Sequence, residues 1–235
     1  MGINLREYST ILCYNLVNQI EKVLIMEELI EAIENDSIVT LKKLCKEGID
    51  LNEPIDAGLE YGLEDPDYMP VLFFAIRKHA SIEFIETLLE NGLELDQVDE
   101  DGLSAIDIAI KFKREDIIDF CVKHGMNVND TSRPSGITPI VLAACFNNTK
   151  IVEQLINYGA EINAKDNNGM SAKDYAKKLG QKKMVTFLHE HGARHNRYPE
   201  ESNQQADKVA EIQNKVKGDM RNREKPTEEM GFDSI

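Results

Sequence analysis

The stretch Gly136-Ile137-Thr138-Pro139-Ile140-Val141-Leu142-Ala143-Ala144 constrains this chain most, because it has relatives at a fixed period. They are Gly102-Leu103-Ser104-Ala105-Ile106-Asp107-Ile108-Ala109-Ile110 and Gly169-Met170-Ser171-Ala172-Lys173-Asp174-Tyr175-Ala176-Lys177. The leading glycines lie 34 and 33 residues apart. Units of that length bury their apolar faces on one another, so such a chain needs no central core.

Each unit predicts two antiparallel helices and a projecting turn. Thr138 and Pro139 offer an N-cap oxygen and a preset φ for the first helix; Ser104-Ala105 and Ser171-Ala172 do so more weakly, and Pro70 supplies the second half alone. Ala32, Ala75, Ala109, Ala143 and Ala176 then hold a place where a small residue lets the next unit approach closely. Apolar residues at helical spacing mark the second helix: Leu41/Leu44, Ile85/Leu88/Leu89, Ile117/Ile118/Cys121, Ile151/Val152/Leu155/Ile156 and Met184/Val185/Leu188. Gly48, Gly92, Gly125, Gly159 and Gly192 end it, spaced 44, 33, 34 and 33.

The T-P-L-H-x-A-like core at this period resembles the ankyrin-repeat family over residues 27 to about 197. The resemblance implies an all-α ankyrin-repeat solenoid of about five helix-turn-helix units, at 27–56, 69–98, 99–132, 133–165 and 166–197. Residues 1–26 are expected to be an N-terminal helical extension, 57–68 an insertion replacing the first finger, and 198–235 a polar, partly helical or disordered tail. The family's histidine is here Asp107, Val141 and Asp174. Loss of its hydrogen bonds predicts a less rigid array, at about 1 kcal/mol for each bond lost.

The formal net charge of -15 argues against a nucleic-acid partner. From Met26 to Asp101 there are 21 acidic and 5 basic residues; from Lys165 to Arg197 there are 8 basic and 3 acidic. The acidic front reads either as a solvated surface or as a field that steers a basic partner. Cys13, Cys45, Cys121 and Cys145 form no C-x-x-C pair, which fits free thiols in an intracellular protein. No apolar run is long enough to span a membrane, and Ile11 to Ile25 is too interrupted for a signal-peptide core. Arg6 stands where a myristoylation signal has Ser or Thr.

Leu12, Leu16, Ile20, Val23 and Leu24 predict a helix over residues 8–25, as a cap on the first unit or as a self-association or membrane-surface helix. Val209, Ile212 and Val216 share a stripe in the tail. The final cluster Glu224, Glu228, Glu229 and Phe232 is similar to acidic C-terminal signals of effectors secreted by intracellular bacteria, which implies delivery into a host cell as an alternative role.

Catalytic patterns are scarce. His189, His191 and His195 form H-x-H-x3-H, yet positions i and i+2 of a helix point apart, so surface histidines are the better reading. Phosphate loops, nucleophile elbows and zinc-protease signatures do not occur in the sequence. The chain reads as a non-catalytic, monomeric binding module without cofactor or metal.

The resemblance implies binding through a concave groove and the finger tips. Its first-helix positions are Arg77 and Lys78, Lys111 and Phe112, Cys145 and Phe146, Lys178 and Leu179. Phe112, Phe146 and Leu179 share a register and predict an apolar ladder, with aromatic anchors as hot spots. Leu103, Ile137 and Met170 share a finger register, readable as binding or as repeat packing. Glu100, Asp101, Ser135, Asn167 and Asn168 flank them, and Tyr61 and Tyr68 are candidate anchors in the insertion.

Overall fold

Helices as short as this repeat dictates are marginal in isolation, so each must find its partner in the next unit. The computed structural model describes residues 21–58 and 67–194. Among them, α1 covers residues 21–34 and is followed by α2 (Ile38–Glu47), the short strands β1 (Ile55–Asp56) and β2 (Tyr68–Met69), α3 (Val71–Arg77) and α4 (Ile82–Glu90). Then come α5 (Ala105–Phe112), α6 (Glu115–Lys123), α7 (Pro139–Cys145), α8 (Thr149–Asn157), α9 (Ala172–Lys178) and α10 (Lys182–Glu190).

The first helices α3, α5, α7 and α9 pack one against the next, and α2, α4 and α6 do the same behind them. The five alanines of the small-residue row are all buried, four of them completely. One apolar core runs from Leu29 in α1 to Ala193 beyond α10. The chain is therefore a one-dimensional stack, as its period requires.

Local chemistry starts and stops each helix. Ser104 and Ser171 close full capping boxes: each hydroxyl accepts from the backbone N–H three residues on, and Asp107 or Asp174 accepts in return from the serine N–H at 3.0 Å. These aspartates replace the family histidine, so the expected loosening is offset at both positions by a second set of bonds. Thr138 corrects the opposite expectation. Its side chain makes no cap bond, and α7 starts instead on the preset φ of Pro139. Gly48, Gly92, Gly125, Gly159 and Gly192 all adopt φ between 86° and 96°, the left-handed turn that releases the chain from each second helix.

One boundary differs from expectation. Residues 21–34 are helical without a break, so the division at residue 26 falls inside a helix. Residues 8–20 of the expected N-terminal helix and the tail beyond Arg194 lie outside the described residues. At the insertion, β1 pairs antiparallel with β2, and Asp56 accepts from the backbone N–H of Gly58 and Asp67, which pins the base of the loop.

Asparagines four residues after the helix-ending glycines tie unit to unit. Asn52 donates to the carbonyl of Gly92 at 2.9 Å and accepts from Glu94 N–H at 2.8 Å. Asn129 makes the same pair with Gly159 and Glu161, and Asn163 accepts from Arg194 N–H. The second unit has Asp96 in this position, which lacks the amide donor, and it makes no such bond to the third unit among the described residues. Asp96→Asn is expected to raise stability by about 1 kcal/mol in urea denaturation, and Asn129→Ala to lower it by about 1–2 kcal/mol. An Asp96→Asn chain no more stable than its parent would contradict the staple's role.

Candidate protein-binding surface

The same short turn closes the first helices. Lys78, Phe146 and Leu179 have φ between -83° and -77° with ψ near zero, and His79, Asn147 and Gly180 follow in the left-handed region, as does Lys113 after Phe112. Because these helices stack, equivalent turns lie side by side, and Phe112, Phe146 and Leu179 form one strip. All three are half-buried, with one side packed on the core and the other toward solvent. Cations flank them: the Lys111 ammonium lies 5.8 Å from the Phe112 ring centroid, within cation–π range. Lys78 bridges to Glu34 at 2.6 Å and lies 5.3 Å from the Phe74 ring. Arg77 and Lys178 are half-buried beside them.

Cys145 is a correction. It is 5% exposed and packs within the core, because it occupies the buried side of the last turn of α7 while Phe146 takes the outer side. Met170 is a second, at 2% exposure; Asp166 accepts from its N–H at 2.9 Å, as Asp99 does from Leu103 N–H at 2.8 Å, and Asp166 is itself buried. Leu103 and Ile137, its counterparts, are half-buried against the core. Glu100, Asp101 and Asn167 are exposed, Ser135 and Asn168 half-buried, and Tyr68 is 60% exposed at the base of the insertion; Tyr61 lies outside the described residues.

The fingers support each other. Asn167 donates through its backbone to Ser135 O at 3.0 Å and through its side chain to Pro134 O at 2.8 Å. A β-carbon on Gly136 would collide with Asn167, and one on Gly102 with the backbone of Ser132; on Gly169, in the last finger, it would meet nothing. Glycine is required at 102 by the backbone of the next finger as well as by positive φ, whereas at 136 the positive φ is the firmer demand, the neighbour being the Asn167 side chain.

Beneath the fingers lies a polar layer that sequence reasoning missed. Arg133 ion-pairs with Asp107, and their side chains are 7% and 1% exposed. Burial pushes the Asp107 carboxyl up and the Arg133 guanidinium down, each opposed by the partner's charge. Asp166 is buried too and accepts from the Tyr175 hydroxyl at 2.6 Å. Desolvation, then that bond, drives the tyrosine upward. A signal was available: Arg133 stands three residues before Gly136, where Asp99 and Asp166 stand before Gly102 and Gly169, and Asp107 is one unit back. At the other end, Arg114 donates to Ala80 O at 2.9 Å and to Asp116, linking the second and third units and holding the Asp116 carboxyl below its usual range.

An open cavity of about 340 Å³ lies at the N-terminal end, lined by α1 (Glu21, Lys22, Ile25, Met26) and the turn after α2 (Gly48, Asp50, Glu53) rather than by the strip. No group of three or more metal-ligating side chains occurs among the described residues, and no described helix is long and apolar enough to cross a membrane.

Stacked helical hairpins with mutually braced fingers and an apolar strip define a repeat-array protein. The sequence model for ankyrin repeats matches residues 29–132 and 122–198, and the chain belongs to the ankyrin-repeat family. Ankyrin repeats are in general protein–protein interaction modules and typically not enzymes. A fowlpox virus (strain NVSL) protein named for its ankyrin repeats is 27% identical over 169 residues, covering 69% of this chain and 47% of its own. One from Treponema pallidum (strain Nichols) is 27% identical over 135 residues, covering 57% of this chain and 45% of its own. One from Acanthamoeba polyphaga mimivirus is 25% identical over 127 residues, covering 52% and 16%. The chain spans about half the length of the first two.

Two outcomes check this geometry. Arg133→Met leaves the Asp107 carboxylate buried without its partner and should cost about 3–5 kcal/mol, whereas adding Asp107→Asn should recover part of that loss; equal losses in urea unfolding would deny the pair. Burial pushes the thiols of Cys121 and Cys145 up to about 12, so iodoacetamide at pH 8 should modify the less buried Cys45 well before either. Peptide mass spectrometry showing Cys145 alkylated as fast as Cys45 would place it back on the surface.

Proposed function

We propose that this chain is a non-catalytic module that holds a partner protein along the strip formed by Phe112, Phe146 and Leu179, with the fingers as its rim. The observation that carries the reading is the recurrence of a half-exposed apolar side chain in the same turn of three stacked helices. An apolar row rimmed by charge marks an interaction site, and aromatic side chains held rigid by their packing are its usual anchors. Glu94, Asp96, Glu100 and Asp101 are all exposed in the connection between α4 and α5 and suit a partner with a basic patch on that side. Supporting contacts are assigned to Lys111, Lys178, Ser135, Asn167 and Asn168. Asp107 and Arg133, and Asp166 and Tyr175, lie under the fingers spent on one another, and Lys173 and Arg114 are spent on backbone carbonyls, rather than converging on a cavity that could seat a reacting substrate.

Phe112→Ala with Phe146→Ala should weaken partner capture by roughly a hundredfold or more, since aromatic anchors contribute about 2 kcal/mol or more each. Because both rings also touch the core, thermal melts must accompany the binding titration. Undiminished capture by a folded double variant would overturn the reading. Should the double variant melt early, Lys178→Glu is the substitute, with several-fold weaker capture expected and unchanged capture counting against the strip.

A further inference from the structure

We propose that the array hinges at the junction between its second and third units, opening at the finger end and pivoting at the opposite end of the helices. The first two units then move as one body against the last three. This motion goes beyond the reading of the strip and does not depend on it, since Phe112, Phe146 and Leu179 all lie in the last three units.

Adjacent units can be tied at two levels. One is the finger end, where second helices stop and the next first helices start; the other is the turn end, where first helices pass into second helices. The first junction is tied at both. Asp36 accepts from Ser81 N–H at 2.9 Å and Glu34 holds Lys78 at the turn end, while Asn52 bonds to Gly92, Glu94 and Gln97 at the finger end. At the third, Gln154 donates to Glu115 O at 2.8 Å near the turn end, and Asn129 and the Asp107–Arg133 pair hold the finger end. The fourth has Gln181 donating to Cys145 O at 2.9 Å at the turn end, with Asn163 and Asn167 at the finger end.

The second junction differs. Arg114 ties its turn end, donating to Ala80 O at 2.9 Å and to Ile76 O at 3.5 Å, and α3 packs on α5 beside it. At the finger end no hydrogen bond or ion pair joins the described residues of the two units, which meet there through apolar packing alone. The exposed Asp96 stands where the other units have asparagine, and a carboxylate has no donor for the Gly125 carbonyl. The Asn127 N–H, counterpart of the Glu94 and Glu161 N–H groups, has no partner among the described residues. In a stack whose cohesion is a sum of neighbour contacts, motion concentrates at the junction with the fewest ties. A junction held at one end alone moves as a hinge rather than coming apart. The acidic first two units thus change their angle to the strip, which the last three units carry as one body.

The test places pairs of nitroxide labels on the full chain through p-acetylphenylalanine, which leaves the native cysteines unlabelled. Double electron–electron resonance then reads their distance distributions. The sites are exposed and hold equivalent places on second helices, so each pair lies two helix-to-helix steps apart, roughly 16–20 Å. Glu90 with Asn157 spans the second and third junctions at the finger end, and Glu83 with Lys150 spans the same two at the turn end. Lys123 with Glu190 spans the third and fourth at the finger end. The Glu90/Asn157 distribution should be about twofold broader than the other two, as a hinge open at one end requires. Asp96→Asn should narrow it to their width. Equal widths for all three pairs, a Glu83/Lys150 pair as broad as Glu90/Asn157, or a Glu90/Asn157 pair indifferent to Asp96→Asn would each overturn the hinge. No partner enters this measurement, so its failure leaves the strip standing as a partner site. Capture that ignores Phe112→Ala/Phe146→Ala would instead sink the partner reading and leave the hinge untouched.

Discussion

The structure depends on one close approach: first helices meeting through a row of buried alanines, Ala75, Ala109, Ala143 and Ala176. Helices of 7 or 8 residues, the length of α3, α5, α7 and α9, have too few internal hydrogen bonds to persist alone. Each is ordered because its neighbour covers it, and that neighbour because of the next. Apolar surface buried between units offsets the chain entropy of ordering them. The same contact aligns equivalent turns, and so brings three residues distant in sequence into the strip proposed as the partner site.

Around that contact the seams are not equal. Asn52, Asn129 and Asn163 staple three of the four junctions, while Asp96 leaves the second junction to Arg114 and to helix packing. The third and fourth units are joined by the buried Asp107–Arg133 pair. Buried pairs of this sort add little net stability over apolar residues, but breaking one is costly, so they fix which surfaces meet. The array is thus held most firmly under the fingers that rim Phe112 and Phe146.

Much of this was legible in the sequence. The glycines that end the second helices, the alanine row and the apolar stripes each recur at the period, and a requirement repeated five times is hard to misread. What escaped were interactions between units, because no single unit displays them. Asp107 reads as a lost histidine until Arg133 is placed opposite it. Thr138 reads as a cap, but Pro139 already fixes the helix start. Cys145 and Phe146 are adjacent, and only the phase of the last turn of α7 decides which faces outward. Met170 is buried where Leu103 and Ile137 are half-buried, although Leu103 makes the same backbone bond to its aspartate; the Asp166 of its finger also accepts from the Tyr175 hydroxyl. The helix through residue 26 carries Ile25, Leu29 and Ile33 at i, i+4 spacing, a stripe that crosses the expected boundary.

Register between units is therefore the central claim, and nuclear Overhauser spectroscopy tests it most directly. The side-chain amide of Asn129 should show cross-peaks to the backbone amide protons of Glu161 and Gly159, and that of Asn52 to the amide of Glu94. A helical, folded chain in which those protons showed contacts within their own hairpins alone would contradict the stack, and with it the strip.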